Sequence, residues 1–283
     1  TGHLILLNEF IKLDVSKAFY DVFQVVIQLG AIMAVVILYW KDIFPFKKKN
    51  NSLKIDKNIL SLWGKIIVAC VPAAIVGILF DDVFDKLFYN YVCVAIALVV
   101  FGIAFIIIEN KNKGVKPKIT SLKELSYNTV LLIGIFQLLA AIFPGTSRSG
   151  ATIVGALLLG VSRTVAAEFT FFLAIPVMFG ASLLKIVKYG FAFKSMELVI
   201  LLVGMIVAFI TSLFIIKFLM SYIKKHDFKF FGWNMIIIGI AAVLVILFVL
   251  LIVALFKIGK LKKCYNMRQL RGKRIWKKEM DLV

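Results

Sequence analysis

Residues 141–161 read AIFPGTSRSGATIVGALLLGV, an apolar stretch interrupted by PGTSRSG (144–150), which contains an arginine and three hydroxyl side chains. The apolar arm before this break, residues 126–143, is 18 residues long, and the arm after it, residues 151–161, has 11. At about 1.5 Å per helical residue the second arm spans only about 16 Å, half of a bilayer core of about 30 Å. Two helical arms around a Pro-Gly turn predict a re-entrant hairpin. Its non-helical backbone requires surrounding protein or a water-filled cavity, so the break also predicts a cavity.

The whole chain has the composition of an integral membrane protein. Of its 283 residues 62% are hydrophobic, and the mean hydropathy is +0.99, whereas soluble domains are nearer half apolar. Six apolar runs are long enough to cross a bilayer as helices. They cover residues 20–40, 59–80, 89–109, 163–185, 197–221 and 231–256. We therefore predict an all-α, multi-pass integral membrane protein with about six transmembrane helices and re-entrant helical hairpins.

The net charge is +19. We assign it to membrane topology, because the positive residues lie in loops between the apolar runs, and we expect no nucleic-acid partner. The lysines cluster between the apolar runs, in residues 41–58, 110–125 and 222–230. Such clusters predict cytoplasmic loops that contact anionic membrane lipids. The acidic segment DDVFDKLF (81–88) predicts a loop on the outer side.

The spans form one predicted membrane domain, residues 1–256, with repeat halves at about 1–109 and 126–256. Each half has a polar loop followed by three spans, and TGHLI in the first half matches SGATI in the second. This pattern indicates an inverted-topology repeat with a site near the bilayer midplane; chance similarity between apolar runs is the alternative. Residues 257–283 are a basic tail with ten Lys and Arg, which the span count places outside. Either the tail is not translocated, the sixth run does not span, or the tail is foreign sequence.

The break at 144–150 has the features of a phosphate site. Arg148 at membrane depth needs an anionic partner, and its planar guanidinium matches phosphate with two parallel hydrogen bonds. The helix that follows directs its positive end toward the same place. This oxyanion cradle comprises Ser147, Arg148 and Thr152 with the candidate phosphate-binding residues Gly145, Thr146, Ser149 and Gly150. The alternative is that Arg148 forms a structural ion pair with a buried carboxylate such as Glu168.

Other polar side chains within or beside the apolar runs are candidates for the same site. His3 is either a general acid, base or nucleophile toward phosphorus, or an interfacial histidine at a helix end. Glu168 either holds a divalent ion or pairs with Arg148 or Arg163. Gln24, Gln28 and Gln137 are amides that join helices by hydrogen bonds, and we expect Gln24, Gln137 and Glu168 to line the site.

The residues PGTSRSGAT (144–152) match the PGxSRSxxT motif of the undecaprenyl-diphosphate phosphatase family, also called the bacitracin-resistance protein family. The flanking stretches IGIFQLLAAIFPGTSRSGATI, GVSRTVAAEFTFFLAIP, TGHLI and FQVVIQLGAIMAVV agree, so the resemblance covers residues 1–256. It implies a bacterial inner-membrane enzyme that hydrolyses undecaprenyl diphosphate to undecaprenyl phosphate and inorganic phosphate. That reaction recycles the lipid carrier of peptidoglycan synthesis and confers bacitracin resistance. A transporter, or flippase, of the polyprenyl phosphate is the alternative function, because inverted repeats with broken helices are also a carrier architecture.

The resemblance also implies which groups act in catalysis. These are His3, Ser147, Arg148 and Thr152, together with a divalent cation, Mg²⁺ or Ca²⁺. The family carries an acidic (E/Q)xxxE motif just before its SGH-type segment, and here the chain begins at Thr1 with that segment. We therefore expect the metal-binding glutamates and the natural N-terminus to lie upstream, and this chain alone to be inactive. A polyprenyl diphosphate is the expected substrate, and a homo-oligomer is the expected assembly.

Overall fold

The computed structural model of the protein describes residues 13–49, 52–88, 90–143, 146–249, 251–252 and 255. These residues are mainly helical, and six helical segments are long and apolar enough to cross a membrane. The segments are Lys17–Leu38, Lys57–Phe80, Val92–Lys111, Arg163–Tyr189, Ser195–Ile223 and Lys229–Val249. The predicted fold class and the six predicted spans are confirmed. The chain divides into two compact units, residues 1–239 and 240–283, and the site described below lies in the first.

The elements follow one another in a simple order. The helices are α1 (Lys17–Val26), α2 (Gln28–Leu38), α3 (Trp40–Ile43), α4 (Lys57–Phe88), α5 (Tyr91–Lys111), α6 (Tyr127–Ile142), α7 (Arg148–Leu158), α8 (Arg163–Tyr189), α9 (Ser195–Ile223) and α10 (Lys229–Val249). Between α3 and α4 the strands β1 (Phe46–Lys49) and β2 (Ser52–Ile55) pair as an antiparallel hairpin. A 3₁₀ turn, Leu122–Glu124, precedes α6. The acidic segment 81–88, predicted as a loop, continues the helix α4.

The first span differs from its prediction because it is broken at Ile27 into α1 and α2. The Gln28 side-chain Nε2 donates to the backbone oxygen of Gln24 at 2.7 Å, the acceptor that the Gln28 backbone N–H would use in a regular helix. The Gly30 N–H bonds to the Ile27 oxygen at 3.1 Å, a tighter i to i+3 step. A side chain that enters the backbone ladder is a recognised cause of such breaks.

The helices α6 and α7 form the predicted re-entrant hairpin. At its base, Ile119 and Val161 form a parallel β-bridge, with hydrogen bonds of 2.8 Å from Lys118 N to Gly160 O and from Ser162 N to Ile119 O. The segment between these residues therefore leaves and returns at one place. Since α7 has 11 residues, it spans about 16 Å and cannot cross a bilayer.

Small residues bring the helix backbones close together around this hairpin. A Cβ at position 134 in α6 would lie 2.3 Å from the Ala69 oxygen in α4, and one at position 30 in α2 would lie 2.1 Å from the Met205 oxygen in α9. Within the hairpin, a Cβ at Gly155 would lie 2.5 Å from the ring of Phe136. Such contacts are how membrane helices pack, since lipid supplies no hydrophobic driving force between them. In α7, every residue from Gly150 to Leu157 is buried.

Candidate active site

The polar loop and the start of α7 are organised by the Ser147 hydroxyl. Ser147 is the N-cap residue, and its Oγ accepts a hydrogen bond from the Gly150 N–H at 3.1 Å. Its Oγ also lies 3.1 Å from the Ser149 Oγ, so one of the two hydroxyls donates a hydrogen bond to the other. The helix begins at Arg148 rather than after the glycine, so Ser149 and Gly150 belong to its first turn. Pro144 and Gly145 lie outside the described residues.

Arg148 extends from this first turn to the break in the first span. Its Nη2 donates to the Gln28 side-chain oxygen at 2.8 Å. Among the described residues no carboxylate lies within ion-pair distance of Arg148. The structural ion pair with Glu168, the alternative reading of Arg148, is therefore not formed. No carboxylate of the described residues pairs with the positive guanidinium, which lies at the N-terminal end of the buried helix α7.

Thr152 lies one turn further along α7 and is 1% exposed. Its Oγ1 is 3.1 Å from the Arg148 oxygen and 3.0 Å from the Ser149 oxygen, and 2.9 Å from the Thr170 Oγ1 in α8. The hydroxyl therefore braces the first turn of α7 against α8. Thr170 was not singled out from the sequence, although a hydroxyl within the apolar run FTFFLAIP was a signal for it.

Two buried polar atoms, one in the loop and one in α6, have no hydrogen-bond partner among the described residues. They are the Thr146 Oγ1 and the Gln137 Nε2, on residues that are 6% and 4% exposed. A buried polar group without a partner costs about 1–3 kcal/mol. The described residues also offer no acceptor to the Arg148 and Ser149 backbone N–H groups, in the first helical turn where such donors point outward. These donors suit an oxyanion.

Gln24, Glu168 and His3 are the remaining predicted site residues. Gln24 is buried in α1, and its backbone oxygen holds the Gln28 amide. Glu168 is half-buried in α8, where its charge interacts with Asp42 and Lys224, and no bond joins it to the described part of the loop. His3 lies outside the described residues, so its place at the site stays a prediction.

A second arginine shows a different arrangement, which the sequence did not reveal. Arg163, at the start of α8, donates from Nε to both carboxylate oxygens of Glu109 at 3.0 Å, and its Nη2 also bonds to that group. The Phe228 N–H donates to the same carboxylate at 3.0 Å. Glu109 is 1% exposed. This pair of a buried carboxylate and a partly exposed arginine joins the end of α5, the start of α8 and the segment before α10.

A divalent cation does not find a ligand set in the described part of the chain. No three His, Cys, Asp or Glu side chains of the described residues come together as a metal site. Asp42 and Glu168 interact electrostatically, and two carboxylates alone leave most positions of an octahedral Mg²⁺ shell to other ligands. The described residues therefore supply no three-ligand protein site for a cation.

Known proteins match this chain over most of its length, including the loop 144–150. The family model of the bacitracin resistance protein BacA matches residues 1–241. The undecaprenyl-diphosphatase of Desulfitobacterium hafniense is 63% identical over 244 residues, which are 86% of this chain and 87% of that protein. Undecaprenyl-diphosphatase 1 of Clostridium acetobutylicum is 63% identical over 249 residues, 88% of this chain and 90% of that protein. An undecaprenyl-diphosphatase of Enterococcus faecalis is 58% identical over 246 residues, 87% of this chain and 89% of that protein.

Proposed function

The chain belongs to the family of the bacitracin resistance protein BacA, and we propose that its Arg148 loop binds the terminal phosphate of the substrate. The protein is an undecaprenyl-diphosphatase, a hydrolase of the cell membrane that confers bacitracin resistance. It converts undecaprenyl diphosphate to undecaprenyl phosphate and inorganic phosphate. The resemblance stated from PGTSRSGAT is thereby confirmed, and with it the membrane location and the enzyme class.

The observation that carries the proposal is the Arg148 contact. Its described partner is the neutral amide of Gln28 at 2.8 Å, so one N–H is used while the charge remains available to an anion. A guanidinium has five N–H donors in a fixed fork, and two of them match two phosphate oxygens. In a site shielded from water such a donor stabilises the charge that develops in the transition state.

The start of α7 supplies the second part of the phosphate site. The Arg148 and Ser149 N–H groups and the Thr146 hydroxyl lack partners among the described residues, and a helix N-terminus favours negative charge. Ser147 keeps this turn in shape by accepting from the Gly150 N–H. Thr152 contributes by holding the turn against Thr170. These residues bind and orient the phosphate.

Further features are part of the proposal. His3 is the catalytic residue expected at the phosphate, and a divalent cation, Mg²⁺ or Ca²⁺, is the expected cofactor, whose charge would stabilise the phosphate oxygens. The long isoprenoid lies along the apolar helix faces that are exposed to lipid, among them Ile206, Ile210 and Phe214 of α9. The reaction recycles the lipid carrier of peptidoglycan synthesis. The expected homo-oligomer stays a prediction.

The test is phosphate release from undecaprenyl diphosphate by the purified full-length protein in detergent. Arg148→Lys keeps the charge but not the fork, and Arg148→Ala removes both. We expect kcat/KM to fall by about 100- to 1000-fold for Arg148→Ala and by less for Arg148→Lys. Lys225→Ala, at an exposed lysine outside the site, is the matched control. Chelation of divalent ions is expected to stop release in the same assay, and added Mg²⁺ or Ca²⁺ to restore it.

Normal hydrolysis by Arg148→Ala would overturn the assignment of the phosphate site. Movement of polyprenyl phosphate between leaflets without phosphate release would instead support the transporter alternative. The two outcomes differ because the first tests one residue and the second tests the reaction.

A further inference from the structure

We propose that Gln28 is a positioning residue for the reaction, which fixes the Arg148 guanidinium while leaving its charge free for the substrate phosphate. The proposal rests on the function proposed for the Arg148 loop. It adds a residue from the first span, 120 positions away in the chain, to a site otherwise built from α6, α7 and α8.

The Gln28 amide is held at both ends. Its Oε1 accepts from the Arg148 Nη2 at 2.8 Å, and its Nε2 donates to the Gln24 backbone oxygen at 2.7 Å. An amide NH₂ only donates and an amide oxygen only accepts. A reversed amide would face its NH₂ toward the guanidinium and its oxygen toward a carbonyl, which is repulsive at both contacts. The two partners therefore set the orientation of the amide.

The backbone that carries Gln28 is itself fixed by packing. The first span is broken at Ile27, immediately before Gln28. Two residues later, Gly30 packs so closely on α9 that a Cβ there would lie 2.1 Å from the Met205 oxygen. Arg148 thus donates to an acceptor whose position is determined by three helices, α1, α2 and α9. A site placed on rigid elements holds its groups to the tolerance that catalysis needs.

The identity of the partner decides what the arginine can do. Arg163 has a carboxylate partner, Glu109, which takes hydrogen bonds from its Nε and Nη2 and compensates its charge. Arg148 has an amide partner, which takes one N–H bond and carries no charge. A carboxylate at position 28 would compete with phosphate for the guanidinium. The amide orients Arg148 without this competition.

Three substitutions separate charge, hydrogen bonding and shape. Gln28→Glu is isosteric but adds a negative charge, Gln28→Met keeps the length but removes the acceptor, and Gln28→Asn keeps the amide on a shorter side chain. We expect Gln28→Glu to raise the KM for undecaprenyl diphosphate and the inhibition constant for inorganic phosphate by about tenfold or more. We expect Gln28→Met to lower kcat by about tenfold with a smaller change in KM, because the guanidinium keeps its charge but loses its alignment.

The matched control removes a different polar contact in the same part of the fold. Ser182 in α8 is buried, and its hydroxyl donates to the Val25 oxygen at 3.4 Å. We expect Ser182→Ala to leave kcat, KM and phosphate inhibition unchanged. Thermal unfolding of each purified variant separates loss of fold from loss of positioning, and a folded Gln28→Glu protein is sufficient for the test because its shape is unchanged.

Either of two results would overturn the inference. One is a folded Gln28→Glu protein whose KM and phosphate inhibition equal those of the wild type. The other is a Gln28→Met protein with unchanged kcat. If Arg148→Ala is inactive while the Gln28 variants are normal, only this inference fails. If Arg148→Ala is itself active, the proposed phosphate site fails first.

Discussion

Thr152 has a single hydroxyl proton and three oxygen atoms around it, at 2.9 to 3.1 Å. If that proton bonds to a backbone oxygen of α7, the Thr170 hydroxyl is the donor between the two threonines. In either arrangement the Thr152 hydroxyl bonds within the protein and is not exposed to a ligand. These bonds hold the first turn of α7, which carries Arg148, against α8.

Valine substitutions test this pair at residue scale, since valine keeps the shape of threonine without the hydroxyl. Thr152→Val leaves the buried Thr170 hydroxyl without this partner, and Thr170→Val removes the same partner from the Thr152 hydroxyl. We expect each single substitution to lower the free energy of unfolding by about 1–2 kcal/mol, and the double substitution by less than the sum. Unfolding of all four proteins in detergent measures the coupling. Strictly additive losses would show that the hydroxyls do not interact.

The candidate site was only partly predictable from single residues. Arginine, hydroxyls and glycines within an apolar stretch identified the loop, because each is costly or unusual at membrane depth. The Gln28 contact with Arg148 joins residues 120 apart, and the Glu109 contact with Arg163 joins residues 54 apart. Nothing local in the sequence fixes which distant polar groups meet. Gln28 was expected to join helices, but its partner was not identifiable.

At the scale of elements, the length of an apolar arm was the decisive signal. An 11-residue helix cannot cross a bilayer, so the hairpin α6–α7 followed from counting residues. The break between α1 and α2 did not follow, because it depends on one side chain bonding to the backbone of the preceding turn. The hairpin β1–β2 was missed because lysine-rich segments carry little strand signal.

The packing of the hairpin predicts unequal effects for two glycines. A methyl group at Gly155 would lie 2.5 Å from the Phe136 ring, whereas one at Gly77 in α4 would meet nothing within 4 Å. We expect Gly155→Ala to destabilise the protein by about 1–3 kcal/mol through overpacking. Gly77→Ala is expected to be neutral or to stabilise by up to about 1 kcal/mol, since alanine favours a helix.

Thermal unfolding and phosphate release measure both effects. Gly155→Ala should lower stability and activity together, because displaced Phe136 shifts α7 and the Arg148 turn with it. A Gly155→Ala protein as stable as Gly77→Ala would show that α6 and α7 are not tightly packed in the membrane.

For the whole molecule, the buried carboxylate of Glu109 joins three parts of the chain. It accepts from Arg163 and from the Phe228 N–H. Glu109→Gln keeps the shape but removes the charge, and we expect a loss on the order of 2–3 kcal/mol in unfolding free energy. The loss is smaller than for a fully buried pair because the Arg163 side chain is 36% exposed. Unfolding of Glu124→Gln, at an exposed carboxylate that accepts from the Thr120 N–H at 2.8 Å, is the control. Equal stability of the two variants would contradict a structural role for Glu109.

The predicted topology can be tested over the whole chain by cysteine labelling. Loops 110–125 and 222–230 are rich in lysine and should face the cytoplasm, while the turn between α8 and α9 should face outward. In a chain without Cys70, Cys93 and Cys264, we expect Phe191→Cys to react with an impermeant maleimide on intact cells. Lys113→Cys and Lys225→Cys should react only after the membrane is opened. Labelling of Lys113→Cys on intact cells would reverse the assignment.

The bridge between Ile119 and Val161 also bears on how the protein is made. Because the α6–α7 hairpin begins and ends at one place, no hydrophilic loop beyond it has to be carried through the bilayer during biosynthesis. Alone in lipid, the hairpin would expose the Arg148 charge and non-helical backbone to hydrocarbon. It therefore becomes stable only when α4 and α8 flank it, and α8 leaves the ribosome after it. The order in which these helices enter the membrane thus need not be the order in which they are synthesised.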